Sequence, residues 1–179
     1  MSDLAGFSAE EIELVSSVLY KVGVWVSHAD DVDGEEDDER EMKALGACIR
    51  AVAKRYDGPG LVDDVAREVL SRTDRWDDWT DYSFDVLPDV RRAVAVIKSH
   101  GTKDDVKNYK MALVEVGQTV AMAHGEFGQY DEDEEKSGFS ALLGKITSGF
   151  GKDHKDHPMN ISAAEDGVLD ELKAVLRDC

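Results

Sequence analysis

Between Asp30 and Glu41 the chain carries nine carboxylates, Asp30, Asp31, Asp33, Glu35, Glu36, Asp37, Asp38, Glu39 and Glu41, opposed only by Arg40. Carboxylates packed this closely repel one another, and a hard divalent cation relieves that repulsion by taking their oxygens as ligands. A second, milder acidic segment holds Glu126, Asp131, Glu132, Asp133, Glu134 and Glu135. The candidate metal ligands are therefore Asp30, Asp31, Asp33 and Glu35 in the first segment and Glu126 and Asp131 in the second. Ca²⁺ suits the irregular spacing best, because Mg²⁺ demands a near-ideal octahedron. Zn²⁺, the third candidate, would need a nearby imidazole such as His28 or His124. The competing expectation is an acidic, metal-independent protein-interaction module. Carboxylates in the first turn of a helix sit favourably with the backbone dipole and need no ion.

The pattern is not an EF-hand. Aligning Gly34 with the loop's obligatory glycine puts Ala29 where the first oxygen ligand belongs and Arg40 where the bidentate Glu belongs. Catalytic signatures are equally poor. No G-x-S-x-G elbow, Walker loop, dinucleotide fingerprint or H-E-x-x-H occurs. An enzyme with a carboxylate metal centre is the weakest of three readings, and a non-enzymatic role is expected. His154 and His157 lie beside Asp153 and Asp156 in a loop-like stretch, a pattern that binds metal adventitiously.

The elements that must position the acidic segments repeat. At a shift of 94 residues, Ile12, Val15, Leu19, Val22, Val26 and Ala29 fall on Val106, Tyr109, Leu113, Val116, Val120 and Ala123. Beyond the acidic segments, Leu45, Cys48, Ile49, Val52 and Tyr56 fall on Phe139, Leu142, Leu143, Ile146 and Phe150. The 3,4,3,4,3 spacing is a one-sided helical stripe. Ser8 with Glu11, Thr102 with Asp105, and Ser162 with Glu165 have the spacing of helix-starting capping boxes. The predicted helices are about 8–29, 35–56, 59–72, 87–99, 102–123, 131–150 and 162–176. His28–Gly34 and His124–Tyr130 are predicted turns. The stretch 74–82 is predicted irregular, with Trp76, Trp79 and Tyr82 packing it onto the core. Gly60–Val65 is echoed by Gly167–Leu172 at a shift of 107, so the second copy is about 13 residues longer. The expectation is one all-α domain over 1–179, a bundle of about seven helices with pseudo-two-fold duplication. The halves are about 8–73 and 102–178, joined by the helix at about 87–99.

Composition narrows the partners. A hydrophobic content of 42% suffices for a core, and 21 basic against 39 acidic side chains give a formal charge of −18. Such a surface repels phosphate backbones, so nucleic acid is not an expected partner, and it attracts cations and basic protein surfaces. No apolar run approaches the ~20 residues needed to span a bilayer, and Met1–Phe7 has neither basic region nor signal core. No direct membrane insertion and no export are expected. Cys48 and Cys179 are too few for a disulfide framework or thiolate cage, which suits a reducing cytoplasm.

The turn Ala29-Asp30-Asp31-Val32-Asp33-Gly34-Glu35, between an apolar and an acidic helix, resembles the Ala-Asp-Gly-Glu turn of the tellurite-resistance TerB and TerB-like proteins. Ala123-His124-Gly125-Glu126-Phe127, followed by Asp131–Glu135, looks like the second such turn. The resemblance spans roughly Leu14–Leu143. It implies a compact duplicated all-α fold, a non-enzymatic role in stress responses and divalent-cation binding through the acidic turns. It also implies association with membrane-bound partners of the TerC type, hence a cytoplasmic protein peripheral to the inner membrane. The chain departs from the motif in two places: two residues separate Asp30 from Asp33-Gly34, and His124 stands where the family favours Asp.

Overall fold

Capping boxes start the two longest helices among the described residues. Ser8 Oγ accepts from the Glu11 amide at 3.2 Å, and Glu11 Oε2 accepts from the Ser8 amide at 2.8 Å. Thr102 Oγ1 accepts from the Asp105 amide at 3.2 Å, and Asp105 Oδ2 accepts from the Thr102 amide at 2.7 Å. Each box satisfies two amides that a helix start would otherwise leave without a partner.

The computed structural model describes residues 3–30, 45–52, 60–127 and 163–179; for Asp3, Asp30 and 123–127 it describes the backbone alone. Every regular element among the described residues is helical. They are α1 (Ala9–Ser27), α2 (45–52), α3 (Leu61–Ser71), α4 (Trp76–Asp81), α5 (Val86–His100), α6 (Lys103–Phe127) and α7 (Ala163–Asp178). Single 3₁₀ turns stand at Asp3–Gly6, His28–Asp30 and Thr73–Arg75. The all-α class expected from the stripes is what the described residues adopt.

Helices α1 and α6 lie side by side and run parallel. The Tyr109 hydroxyl donates to the Val15 carbonyl at 2.8 Å near their N-terminal ends. Further along, a Cβ placed on Gly23 would stand 3.2 Å from Val116 Cγ1, and one on Gly117 would stand 3.3 Å from Val26 Cγ2 and 3.7 Å from Val22 Cγ1. The contacts advance together along both helices, so positions 94 apart in sequence lie next to each other in space. Leu19, Val22, Leu113 and Val116 are all fully buried.

Helix α5 runs antiparallel to α1, tied by Lys21–Asp89 at 3.4 Å and His100–Glu11 at 3.1 Å. Helix α7 runs antiparallel to α6: Leu169 fills the space over Gly117, and Lys110 Nζ donates to the Leu176 carbonyl at 2.8 Å. Lys98 Nζ donates to the carbonyl of Cys179. Two ammonium groups thus meet the negative end of α7, where cations are favourable.

Two expectations are corrected. Residues 74–82 are not irregular: Thr73–Arg75 and α4 are helical. Trp76 and Trp79, three apart, share one helical face. Both are buried and flank the Tyr20 ring, with centroids 5.0 and 5.7 Å away. Trp79 Nε1 donates to Glu13 at 2.8 Å, while Tyr82 lies outside the core. Glu13 also pairs with Arg72 at 2.5 Å and Arg75 at 3.4 Å, so one carboxylate fastens α1 to the α3–α4 connection. The second predicted turn also starts late. The backbone of His124–Phe127 continues α6, because nothing at Ala123 breaks the helix and Gly125 merely lowers its propensity.

Cys48 is free and buried, and burial pushes its thiol pKa up to about 12; Cys179 is also free. In native protein at mild alkaline pH, a thiol reagent should therefore label Cys179 while sparing Cys48, and denaturant should expose the second thiol.

Glycine substitutions should split in sign. A Cβ on Gly23 would meet Leu45 Cδ1 at 2.2 Å, whereas one on Gly167 in α7 meets nothing within 4 Å. Overpacking costs ~1–3 kcal/mol and the helix-propensity gain of Ala over Gly is at most ~1 kcal/mol. In urea unfolding, Gly23→Ala should lose stability and Gly167→Ala should gain it. Leu113→Ala should cost ~2–5 kcal/mol; a loss under ~1 kcal/mol would mean Leu113 is not part of the core.

Candidate functional site

The helix directions sort the molecule into two ends. At one lie the starts of α1 and α6 and the finishes of α5 and α7, where the Phe7 ring lies 4.4 Å from that of His100. At the other lie the finishes of α1 and α6 and the starts of α5 and α7. Both acidic segments leave from this second end, the first after Asp30 and the second after Phe127.

The 3₁₀ turn His28–Asp30 continues α1 and packs against α7. Its His28 ring stacks on Phe84, just before α5, with centroids 5.4 Å apart and planes 26° apart. Helix α6 projects further than α1. The 3₁₀ turn carries this helical run to Asp30, the position matching His124, and α6 continues to Phe127, three residues beyond it. That is roughly 4–5 Å of extra helix.

Of the sequence-derived metal ligands, Asp30 ends the 3₁₀ turn and Glu126 lies in the last turn of α6, each described by its backbone alone. Asp31, Asp33, Glu35 and Asp131 lie outside the described residues, as do Gly34 and Gly128. Among the described residues, no three His, Cys, Asp or Glu side chains are gathered as a metal cage.

The same end carries positive backbone dipole. Helices α5 and α7 present their N-terminal amides there, and both have acids in the first turn: Asp89 in α5, and Glu165 and Asp166 in α7. Glu165 is buried. An N-terminal turn is the helical position where a carboxylate is most favourable, and its charge does not need a metal.

Three features were not foreseen in sequence. Buried Glu115 interrupts the apolar face of α6, and buried Asp63 in α3 pairs with Arg67 at 2.8 Å. The aromatics Tyr82 and Phe84 face solvent, 74% and 70% exposed, although the spacing of Tyr82 from Trp79 marked it as core. Only the short range of the signal could have flagged them: Tyr82 and Phe84 sit between Asp81 and Asp85 rather than among apolar neighbours.

Among the described residues no helix is long and apolar enough to cross a membrane. No protein-family model, curated protein or solved structure matches this chain.

With no multivalent cation present, the first acidic segment should destabilise the fold through like-charge repulsion. The triple change Asp31→Asn, Asp33→Asn, Glu35→Gln should therefore raise the melting temperature in EDTA at low salt. The gain should be worth roughly 0.5–1 kcal/mol, in the range of surface charge effects, and should vanish near ~1 M salt, where the Debye length falls to ~3 Å. Unchanged melting at low salt would show that the carboxylates do not strain one another.

Proposed function

We propose that this chain is a non-enzymatic, TerB-like helical domain of the stress-response, tellurite-resistance type. It binds divalent cations through the acidic segments that follow α1 and α6, and it docks on a partner protein. In this reading the two halves are a duplicated unit related by a pseudo-two-fold axis along α1 and α6. The protein is cytoplasmic and reaches the inner membrane only through a TerC-like partner.

One observation carries the reading: the parallel, in-register pairing of α1 and α6. Gly23 meets Val116 while Gly117, 94 residues on, meets Val22. Such a reciprocal contact supports a two-fold relation, in which i touches j and the copy of j touches the copy of i. The two capping boxes, at Ser8–Glu11 and Thr102–Asp105, agree with the same register. Parallel pairing also directs both acidic segments from one end of the bundle, as the duplicated turns of the resemblance require.

The first segment is proposed as the stronger site, with Asp30, Asp31, Asp33 and Glu35 as ligands and Ca²⁺ as the preferred ion. Glu126 and Asp131 are proposed for the second. The metal-independent interaction module remains the second reading, and the N-termini of α5 and α7 at the acidic end favour it, because their dipoles stabilise nearby carboxylates without an ion.

Titration calorimetry at physiological salt separates the two. The proposed function expects saturable Ca²⁺ binding, weakened at least about tenfold by Asp30→Asn/Asp33→Asn, since two ligands and two charges are lost. Uptake that salt erases, or that the double variant retains in full, would leave the acidic interaction module as the function.

A further inference from the structure

The only large apolar side chains exposed among the described residues are Tyr82, Phe84 and Met111, and the first two are neighbours at 74% and 70% exposure. They are held outward by what lies between and before them. Ser83 is fully buried, and its hydroxyl donates to the Thr80 carbonyl at 2.8 Å while its amide donates to the same carbonyl at 3.1 Å. Trp76 and Trp79 anchor α4 beneath. The side chains therefore alternate, 83 inward with 82 and 84 outward, on a support fixed by two buried indoles. Phe84 is further oriented by its stack on His28.

Asp81 and Asp85 flank the pair in sequence, Asp77 and Asp78 lie one turn earlier in α4, and all four are exposed. Arg75, just before α4, is already engaged by Glu13 and Asp78 at 3.4 Å each. Two preorganised aromatic rings in an acidic stretch of chain match one ligand chemistry: arginine or lysine beside apolar side chains. The rings receive the apolar groups and the faces of guanidinium or ammonium ions, and the aspartates pair with the remaining charge. Aromatics of this kind act as interface anchors, and holding them in place before binding reduces the ordering cost. A second copy of this chain is a poor occupant, because both carry a formal charge of −18. Nucleic acid and anionic lipid are disfavoured on the same ground.

We infer that the Tyr82–Phe84 surface, with exposed Asp77, Asp78, Asp81 and Asp85 in the same stretch of chain, docks a basic amphipathic segment of a partner protein. This rests on the partner-docking half of the function proposed above and is independent of its cation half.

The test is fluorescence anisotropy in EDTA at physiological salt, so that failure here leaves the cation reading untouched. The probes are a short labelled peptide of alternating arginine and leucine, and one of alternating arginine and serine with equal charge. The arginine–leucine peptide should bind at least about tenfold tighter, and Tyr82→Ser/Phe84→Ser should abolish that preference. Both rings are exposed, so thermal melting of the variant should stay near that of wild type. Amide shifts of wild-type protein should move at 79–86 and at His28. Equal binding of the two peptides, no binding of either, an undiminished preference in the double variant, or shifts spread over all acidic faces would each overturn the inference.

Discussion

At Gly23 and Gly117 helices α1 and α6 approach so closely that the space for a Cβ is already filled. At Gly23 the volume is taken by Leu45 of α2 and Val116 of α6; at Gly117 it is taken by Leu169 of α7 with Val26 and Val22 of α1. Each glycine therefore serves two contacts. It lets α1 and α6 pair in parallel, and it gives a third helix a notch in which to seat a leucine. The remaining elements follow from this pair. Helix α5 returns antiparallel through the short Gly101–Thr102 link, and α7 returns along α6 with its C-terminal carbonyls held by Lys98 and Lys110. Helix α4 closes the side of α1 through Tyr20 and Glu13.

Parallel pairing also has an electrostatic consequence. Two antiparallel helices would send their following segments to opposite ends; two parallel ones send both to the same end. In a chain with a formal charge of −18, both acidic segments therefore begin at one end of the bundle, after Asp30 and after Phe127. Self-repulsion then has two remedies in this structure, the N-terminal dipoles of α5 and α7 and the proposed cation. Their balance decides between the two functional readings. The aromatic surface at Tyr82 and Phe84 lies toward that end through the His28–Phe84 stack.

Much of the fold was legible in sequence, because its strongest signals are local. The stripes of α1 and α6, the boxes at Ser8–Glu11 and Thr102–Asp105, and the Gly101 stop all act within a few residues. Their expected positions agree with the structure to within a turn. What failed was equally local in cause. Residues 74–82 are too short for a periodic stripe, so the shared face of Trp76 and Trp79 was legible only as packing and not as a helix. Tyr82 has the same spacing and points away, since only tertiary contact with Tyr20 and Glu13 distinguishes inside from outside there. The candidate ligands were named from charge density alone. Density specifies no geometry, and Asp31, Asp33, Glu35 and Asp131 lie beyond the described residues. Burial of Glu115 and Glu165 carried no sequence signal that separated them from the exposed acids.

The central claim is that a cation binds where two parallel helices deliver their acidic segments to one end. Paramagnetic Mn²⁺, an oxygen-seeking divalent ion, tests it directly by broadening amide resonances near wherever it settles. At substoichiometric Mn²⁺ and physiological salt, the amides of Ser27–Asp30 and of Ala123–Phe127 should broaden together. Those of the capping boxes, Ser8–Glu11 and Thr102–Asp105, should stay sharp, and excess Ca²⁺ should restore the lost signals. Broadening scattered over every acidic face, broadening at the capping-box end, or none at all would contradict the account.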